Sequence, residues 1–213
     1  MIQKPPNFAN LRRQYGHLTL EEQDMPQAPL PLLQQWLDEA CASETEDPTA
    51  MVLSTVDEQH HPDSRVVLLK GLDDKGLIFY THYQSCKGRQ LAHCDFAAAN
   101  FYWPVLARQI RIRGRVSKLA SHVSDAYFKS RPKASQISAI ASEQSKPLAS
   151  RTVLEKRIAQ LTQTSEHTRP TNWGGYQLSI SEIEFWQGRD DRAHDRIHYT
   201  QQQRIWHHQR LFP

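Results

Sequence analysis

Three short segments rich in β-branched and aromatic residues follow one another in the first half of the chain. AMVLSTV (50–56), SRVVLLK (64–70) and GLIFYT (76–81) are separated only by the polar stretches DEQHHPD and GLDDKG. Such segments, bounded by turn residues, are typical of β-strands. Parallel neighbours need a crossover of about a dozen residues or more, and these connections are shorter. The segments therefore predict a meander of antiparallel strands, in which SRVVLLK is a buried strand.

The strand pattern returns in the rest of the chain. FAAANFYW (96–103) and RQIRIRGRVSKL (108–119) share it, and WGGYQLSI, EIEFWQ, RIHYT and RIWHHQRL add predicted strands near the C-terminus. In the 108–119 strand the polar positions are Gln109, Arg111, Arg113 and Arg115, which alternate with apolar residues and predict a solvated face. An antiparallel sheet with more than five strands would curl into a barrel.

Five segments have helical patterns, at 31–43, 85–94, 121–130, 135–144 and 148–163. The first has an apolar stripe made of Leu32, Leu33, Trp36, Leu37 and Ala40. Ser85, Ser121 and Ser135 are predicted N-caps of the second, third and fourth helices. No internal repeat or long linker divides the 213 residues. We therefore predict one α+β domain over 28–213, preceded by a polar, loosely held arm at 1–27.

Composition and spacing exclude several classes of function. The chain has 26 Lys and Arg against 23 Asp and Glu, and this net charge of +3 suits phosphorylated small molecules as well as nucleic acid. No arginine-rich tail, zinc-finger spacing or RNA-binding motif is present, so no nucleic-acid partner is predicted. No apolar stretch is long enough for a membrane span, and no metal-ligand spacing occurs. Cys41, Cys86 and Cys94 lack CxxC spacing, which favours reduced thiols and a cytoplasmic location.

The stretch FWQGRDDRAHDR (185–196) gathers three Arg, three Asp and a His directly after a Phe-Trp pair. A solvated loop is the simplest explanation of such a cluster. In an extended segment, however, Arg192, His194 and Arg196 would share one face. That cationic face would suit an anion or a planar electron-poor ring.

Two further basic clusters are candidates for phosphate binding, although flanking charges and ordinary caps would explain them equally simply. Arg65 and Lys70 flank the SRVVLLK strand with opposite parity, so both would reach one ligand only at a sheet edge or a bulge. Lys87 follows Ser85 and Cys86 at a helix start, where free N–H groups favour an anion.

A third cluster combines Tyr127, Arg131 and Ser135. Tyr127 and Arg131 are i,i+4 neighbours on one helix, and together with the Ser135 hydroxyl they could cradle a phosphate. A surface Arg beside ordinary caps is the alternative. The sequence has no nucleophile elbow, P-loop or GxGxxG motif and no evident carboxylate pair, so any chemistry would come from a bound cofactor. The clusters together predict two phosphorylated ligands in one place.

Several motifs, taken in order, resemble the FMN-dependent pyridoxine/pyridoxamine 5′-phosphate oxidase family. The resemblance extends from LRRQY (11–15) to the final RLFP. The motifs that carry it are DPTAMVLSTVDE, SRVVLLKG, GLIFYT, RQIRIRG, YFKSRPKASQI, EQS (143–145), NWGGY, and IEFWQG followed by RAHDR. It implies an antiparallel split β-barrel with peripheral helices, working as a homodimer with FMN held between the subunits.

The resemblance also implies the roles of individual residues. For FMN they are Arg65, Val66, Val67, Leu68, Leu69, Lys70, Tyr80, Thr81, Lys87, Gln109, Gln144, Ser145, Trp186 and Arg196. For the substrate they are Arg12, Tyr15, Lys70, Tyr127, Arg131, Ser135, Arg192 and His194. Arg12 and Tyr15 would belong to a mobile lid formed by the 1–27 arm. Arg192 and His194 would be the catalytic residues, which position the substrate ring and stabilise charge near its phenolic oxygen.

The implied reaction oxidises pyridoxamine 5′-phosphate or pyridoxine 5′-phosphate to pyridoxal 5′-phosphate. A hydride would pass from the 4′ carbon of the substrate to the flavin, and oxygen would then be reduced to hydrogen peroxide. Two alternatives stay open. One is a phenazine-type split-barrel flavin oxidase, which would not need the Tyr127, Arg131 and Ser135 cradle. The other is a non-catalytic module that binds flavin or pyridoxal phosphate.

Two positions depart from the family pattern. Cys86 stands where the family usually has an Arg before Lys87, so one phosphate partner is missing. Gln14 stands where the lid usually has an acidic residue. These departures concern the affinity for FMN and the behaviour of the lid.

Overall fold

The computed structural model describes residues 13–16, 18–43 and 45–213. Arg12, which the resemblance assigns to the lid, lies outside these residues. The strands are β1 (Ala50–Val56), β2 (Pro62–Leu68), β3 (Gly71–Asp73), β4 (Gly76–His82), β5 (Phe96–Trp103), β6 (Arg108–Lys118), β7 (Trp173–Gln187), β8 (Asp195–Gln202) and β9 (Ile205–Arg210). The α-helices are α1 (Leu30–Ala42), α2 (Cys86–His93), α3 (Ser121–Ser130), α4 (Lys133–Ala141) and α5 (Arg151–Thr162).

The strands form one antiparallel sheet in the order β2-β1-β5-β6-β7-β4-β3, with β8 paired to β7 and β9 paired to β8. The antiparallel pairing is confirmed. The predicted meander is wrong, because β2 and β4 lie near opposite ends of this order. After the β1–β2 hairpin, the chain crosses to begin the other edge of the sheet. The two segments predicted as WGGYQLSI and EIEFWQ are one continuous strand, β7, which pairs with β6, β4 and β8.

The sheet curls until the end of β2 meets β4. The main-chain N–H of Leu69 donates to the Thr49 carbonyl at 2.8 Å, and the next N–H, of Lys70, donates to the Ile78 carbonyl at 2.8 Å. Two consecutive residues thus bond to the residue that precedes β1 and to β4, although β1 and β4 lie near opposite ends of the sheet order. This junction closes the predicted antiparallel barrel, and the helices lie around it, so the α+β split-barrel fold class is confirmed.

A β-bulge bends β6 against β7 between Arg113 and Gly114. A Cβ atom at Gly114 would lie 1.8 Å from the Ser179 carbonyl oxygen, so only glycine permits this approach. The bend faces the middle of β7, where pairing with β4 ends and pairing with β8 begins. One long strand can therefore serve two different parts of the molecule.

The core contains the predicted apolar stripe of α1, which is buried throughout. Trp36 from this stripe packs edge-on against Phe185 of β7, with ring centroids 5.2 Å apart. The predicted solvated face of β6 is also confirmed, because its three arginines are exposed and form ion pairs. The pairs are Arg111–Glu184, Arg113–Glu182 and Arg115–Asp95.

Strand β2 is not the buried strand that its sequence predicts. Its residues alternate between half-buried and exposed, and Val66 and Leu68 are 64% and 40% exposed. An edge strand of a curled sheet packs only one face on the barrel, so apolar side chains on the other face remain uncovered in one protomer. Val52 and Tyr102 on the neighbouring strands are also exposed.

Two predicted helix caps are wrong. Ala120 is the N-cap of α3, and the Ser121 hydroxyl instead accepts a hydrogen bond from Arg169 Nη2 at 2.7 Å. Pro132 occupies the N-cap of α4, so the helix begins before Ser135, which lies inside the first turn. None of the helices in the described ranges is long and apolar enough to cross a membrane.

Candidate active site

A cavity of about 410 Å³ opens where the ends of β2 and β4 meet α2, α4 and the end of α3. We call it the β4 cleft. The residues predicted for FMN that line it are Val66, Val67, Leu68, Lys70, Tyr80, Thr81, Lys87 and Gln144. The residues predicted for the substrate that line it are Lys70, Tyr127 and Arg131. The cleft therefore brings together members of both predicted groups.

Lys87 is the most buried cation of the β4 cleft, at 7% exposed. Its position follows from α2, whose N-terminus is capped as predicted, because the Gly88 N–H donates to the Ser85 hydroxyl at 3.2 Å. Lys87 Nζ donates to Gln144 Oε1 at 3.1 Å and to Thr81 Oγ1 at 3.3 Å. Within the described ranges it forms no ion pair. Burial first, and then the positive charge of Arg65, lowers the pKa of Lys87. A bound anion would relieve both effects.

Arg131 is the second incompletely paired cation of the cleft. Its guanidinium lies over the Trp173 ring, 4.8 Å from the centroid, and its buried Nη1 has no hydrogen-bond partner within the described part of the chain. Burial lowers the pKa of this group. Tyr127, one helical turn earlier, stacks on Tyr80 with centroids 3.7 Å apart. The predicted neighbours Tyr127 and Arg131 thus share one wall of the cleft.

Arg65 is held away from the cleft by a polar network of its own. Its guanidinium forms an ion pair with Asp63 and donates to Thr55 Oγ1 at 2.6 Å and to Gln90 Oε1 at 3.0 Å. Lys70 lines the cleft, whereas Arg65 does not. Cys86 belongs to the same network, because its Sγ lies 3.6 Å from Asp63 Oδ2.

Three further predicted residues do not line the β4 cleft. Leu69 is buried in the core, Ser135 lies in the first turn of α4, and Ser145 is exposed beside Gln144. Ser145 has a left-handed φ of 72°, which marks the turn that follows Gln144. Their predicted roles remain predictions.

A second cavity, of about 810 Å³, is lined by Arg13, Gln14, Tyr15, Arg189, Asp191, Arg192 and His194. We call it the His194 pocket. The segment 190–192 is a short 3₁₀ turn in which Asp191 and Arg192 have left-handed φ values of 55° and 61°. The expectation that an extended segment aligns Arg192, His194 and Arg196 is therefore wrong for this loop. The turn, rather than strand alternation, brings Arg192 and His194 to one cavity.

His194 is held in a defined tautomer and orientation. The main-chain N–H of Arg189 donates to His194 Nδ1 at 3.0 Å, so the neutral ring carries its proton on Nε2. The ring centroid lies 4.7 Å from that of Trp186 and 5.2 Å from that of Tyr15. Burial first, and then the Arg192 charge, lowers the pKa of His194. At neutral pH the ring can therefore donate a hydrogen bond through Nε2.

The remaining predicted FMN residues form a row across three neighbouring strands. Gln109 of β6 is the register partner of Trp186 of β7, which is the partner of Arg196 of β8. Gln109 Nε2 donates to Asn100 Oδ1 at 2.6 Å, and Arg196 Nε donates to Glu184 Oε1 at 2.9 Å. Trp186 links this row to the His194 pocket.

The β4 cleft and the His194 pocket lie at opposite ends of β7. Tyr80 in the cleft pairs with Gly175 near the start of the strand, whereas Trp186 stands near its end. Eleven residues of strand separate these positions, roughly 36 Å of chain at about 3.3 Å per residue. The predicted site is thus two groups of residues in one protomer, and a single small ligand cannot bridge them.

Sequence reasoning missed five residues that line the β4 cleft: His82, Ser138, Ala139, Ser142 and Trp173. His82 could have been found, because it follows Tyr80 by two positions in a strand and therefore faces the same side. Ser138 is similarly one helical turn beyond Ser135. Trp173 reaches the cleft only through the pairing of β4 with β7, which no local pattern reveals.

Two family profiles match most of the chain. The one described as pyridoxamine 5′-phosphate oxidase matches residues 37–165, and the one described as pyridoxine 5′-phosphate oxidase C-terminal dimerisation region matches residues 173–213.

Curated relatives are similar over almost their full length. A pyridoxine/pyridoxamine 5′-phosphate oxidase of Legionella pneumophila strain Paris is 52% identical over 210 residues, which are 97% of this chain and 98% of the relative. The protein of the same name from Chromohalobacter salexigens is 49% identical over 212 residues, 97% of this chain and 99% of the relative.

Solved structures share the fold. PhzG from Burkholderia lata 383, in complex with tetrahydrophenazine-1-carboxylic acid, has a TM-score of 0.90 at 32% identity, covering 94% of this chain and all of that chain. A pyridoxamine 5′-phosphate oxidase-related, FMN binding protein from Nostoc punctiforme has a TM-score of 0.71 at 17% identity. That alignment covers 87% of this chain and 97% of the other, and it supports the fold alone.

Proposed function

Because the chain belongs to the pyridoxamine 5′-phosphate oxidase family, we propose that it converts pyridoxamine 5′-phosphate and pyridoxine 5′-phosphate to pyridoxal 5′-phosphate. FMN is the proposed cofactor, and oxygen, reduced to hydrogen peroxide, is the proposed electron acceptor. The three cysteines are unpaired, which agrees with the proposed cytoplasmic location.

One observation of the structure carries the proposal. Lys87 and Arg131 enter the same cleft, and neither has an acidic partner within the described part of the chain. Buried cations without counter-ions are costly, so a cleft that holds two of them fits ligands that bring negative charge. FMN and the proposed substrates each carry one phosphate group, which matches two separate cations.

The residues of the cleft divide naturally between the two phosphates. Lys87, Thr81 and Gln144 form one hydrogen-bonded group beside the N-terminus of α2, which adds free N–H donors, and we assign the FMN phosphate to it. Arg131 and Tyr127 come from the C-terminal end of α3, and we assign the substrate phosphate to them. When bound, FMN supplies the two-electron redox chemistry.

A homodimer would complete the site. The residues at the far end of β7 lie in the region that matches the C-terminal dimerisation profile. Exposed apolar side chains on β2 and its neighbours, among them Val52, Val66 and Tyr102, offer a surface that a second copy would cover. We propose that each β4 cleft receives Trp186, Arg192 and His194 from the other subunit, together with Gln109 and Arg196.

In that arrangement the chain's own groups position the substrate. His194 Nε2–H would donate to the phenolic oxygen of the substrate ring, and Arg192 would stabilise negative charge on it. Tyr15, packed edge-on against Trp186 at 5.6 Å, would help to exclude water from that side. Because Nδ1 already accepts from the Arg189 N–H and Nε2 carries the proton, His194 is proposed as a hydrogen-bond donor rather than a general base.

The phenazine-type alternative has a close structural counterpart but fits the cleft less well. The ligand named with the Burkholderia protein is a carboxylic acid. This cleft instead presents two cations, Lys87 and Arg131, each of which could bind one phosphate group. A peroxide assay decides between the candidates. The expected result is oxygen-dependent peroxide formation with pyridoxamine 5′-phosphate and at least about tenfold lower efficiency with unphosphorylated pyridoxamine, as expected for one lost charged contact. Flavin binding without peroxide would favour a non-catalytic module.

A further inference from the structure

His82 is a buried, titratable residue of the β4 cleft that has no role in the proposal so far. It is the last residue of β4, is 5% exposed, and lines both the cleft and a smaller adjoining cavity. Its register partner on β7 is Trp173, which also lines the cleft. The backbone of His82 is therefore held by the sheet and not by a loop.

The charges that face His82 within the cleft are positive. Lys87 approaches from α2 and Arg131 from the end of α3, while the Ala139 carbonyl of α4 accepts a hydrogen bond from the ring. Burial is the largest effect, and the two cations add to it, so the pKa of His82 is lowered despite the carbonyl. In the absence of an anion the ring is therefore neutral at neutral pH.

The adjoining cavity does not reverse this balance. Its charged groups are Glu143 and Lys146, which form an ion pair at 3.0 Å. Glu143 also accepts from Arg157 Nη1 at 2.9 Å. The negative charge of Glu143 is thus compensated by two cations. Its side chain is also exposed, so solvent screens its effect on His82.

We propose that His82 is a further phosphate-binding residue of the β4 cleft, neutral without an anion and a protonated donor once a phosphate dianion has bound beside Lys87. A third permanent cation at this place would be costly whenever no anion is bound. A phosphate brings about −1.5 to −2 charges, which reverses the local field and favours the imidazolium. A histidine therefore adds positive charge only when the ligand has arrived. The inference rests on the proposed function only for the identity of the anion.

Proton uptake by His82 would make ligand affinity depend on pH. By reciprocity, a ligand that causes the ring to gain a proton binds more tightly where protons are abundant. Affinity should therefore rise as pH falls through the interval between the pKa values of the bound and the free ring. Full uptake of one proton would raise the affinity tenfold for each unit by which the pH falls. Partial uptake predicts an affinity about 3- to 10-fold higher at about pH 6.5 than at about pH 8.

Calorimetric titration of the apoprotein with FMN tests the proposal. Titrations at one pH near 7.5, in two buffers with different ionisation enthalpies, give the number of protons taken up on binding. The matched variant is His82→Asn, whose amide can still donate to the Ala139 carbonyl but cannot gain a proton. Wild type should take up more protons than the variant. Riboflavin, which lacks the phosphate, should show no such difference. Equal uptake by wild type and variant with FMN would overturn the proposal.

A direct measurement removes dependence on the variant. If His82→Asn does not fold, the ring of His82 in wild type can be followed by NMR, and saturation with FMN should move its nitrogen shifts to those of an imidazolium. Shifts that stay at the neutral values would overturn the proposal. A wild-type protein that binds no FMN would instead count against the proposed function. Inorganic phosphate would then be the probe, and the same shift change would decide the role of His82.

Discussion

The β4 cleft and the His194 pocket hold cationic side chains in opposite ways. In the cleft, Lys87 and Arg131 are at least half-buried and have no acidic partner within the described residues. In the pocket, Arg189 is paired with Asp195 at 3.4 Å and Arg192 is exposed to solvent. The cleft is therefore electrostatically incomplete until an anion binds, whereas the pocket is stable as it stands. This difference agrees with the proposal that the cleft binds the ligands and that the pocket contributes groups to the cleft of the other subunit.

The backbone shows the same contrast. Lys87 and Arg131 stand at the ends of regular helices, but Asp191 and Arg192 occupy left-handed conformations, which cost about 1–3 kcal/mol each and persist only when their surroundings hold them. Asp190 provides part of that support, because its Oδ1 accepts from the main-chain N–H groups of Tyr15 at 2.8 Å and Gly16 at 3.1 Å. The pocket thus depends on a loop and on the N-terminal arm together.

The largest effect is expected in the His194 pocket. His194→Ala and Arg192→Ala should each lower turnover by about 100-fold or more, because they remove groups aimed at charge that develops in the reaction. The FMN content per subunit should stay near that of wild type. Steady-state kinetics with a flavin spectrum measures both quantities, and Arg204→Ala, in the exposed β8–β9 turn, is the control. Parallel loss of flavin and activity would show that the pocket is part of the FMN site instead.

The next largest effect is expected at Lys87. Lys87→Met should weaken FMN binding roughly 10- to 150-fold, the equivalent of one charge-assisted hydrogen bond of about 1.5–3 kcal/mol. The apoprotein should not melt at a lower temperature, because a buried ammonium without an ion pair has been removed. Fluorescence titration and thermal unfolding measure the two results. Lys75→Met, in the exposed β3–β4 turn, is the matched control. Unchanged FMN affinity would contradict the assignment of the FMN phosphate to Lys87.

Arg131 should affect the substrate rather than the cofactor. Arg131→Ala should raise the KM for pyridoxamine 5′-phosphate about tenfold or more, with a smaller change in kcat, because a phosphate contact stabilises ground and transition states alike. The KM for unphosphorylated pyridoxamine should not change, and this serves as the internal control. A fall in kcat at unchanged KM would be incompatible with a phosphate-binding role.

The smallest effect is expected at Cys86. The family pattern suggests that an Arg here would bind the FMN phosphate, but the Cys86 side chain faces Asp63, which already pairs with Arg65. Cys86→Arg should therefore form a partly exposed ion pair worth about 0–1 kcal/mol and tighten FMN binding by no more than about fivefold. Titration of the apoprotein at low and high salt measures the change. Tightening well beyond that, lost at high salt, would place residue 86 within reach of the phosphate.

Much of the local structure could be predicted from the sequence. The stripe of α1, the alternation along β6, the Ser85 cap and the Tyr127–Arg131 neighbours all appear as expected. Each depends on residues a few positions apart, whose geometry is set by the helix or strand period. The family resemblance added the identities of residues whose roles no local pattern could indicate.

Tertiary structure decided how these pieces combine. The sheet order separates β2 from β4 although they are close in sequence, because strand pairing is chosen by burial over the whole barrel and not by connection length. The same packing puts Trp173 beside His82 and removes water from Lys87, so it sets which cations lack partners. It also places the two groups of predicted site residues at opposite ends of β7. Local periodicity carries no information about long-range burial. Burial determines the free-energy cost of a charged side chain and shifts its pKa, and both effects make a buried cation suitable for binding an anion.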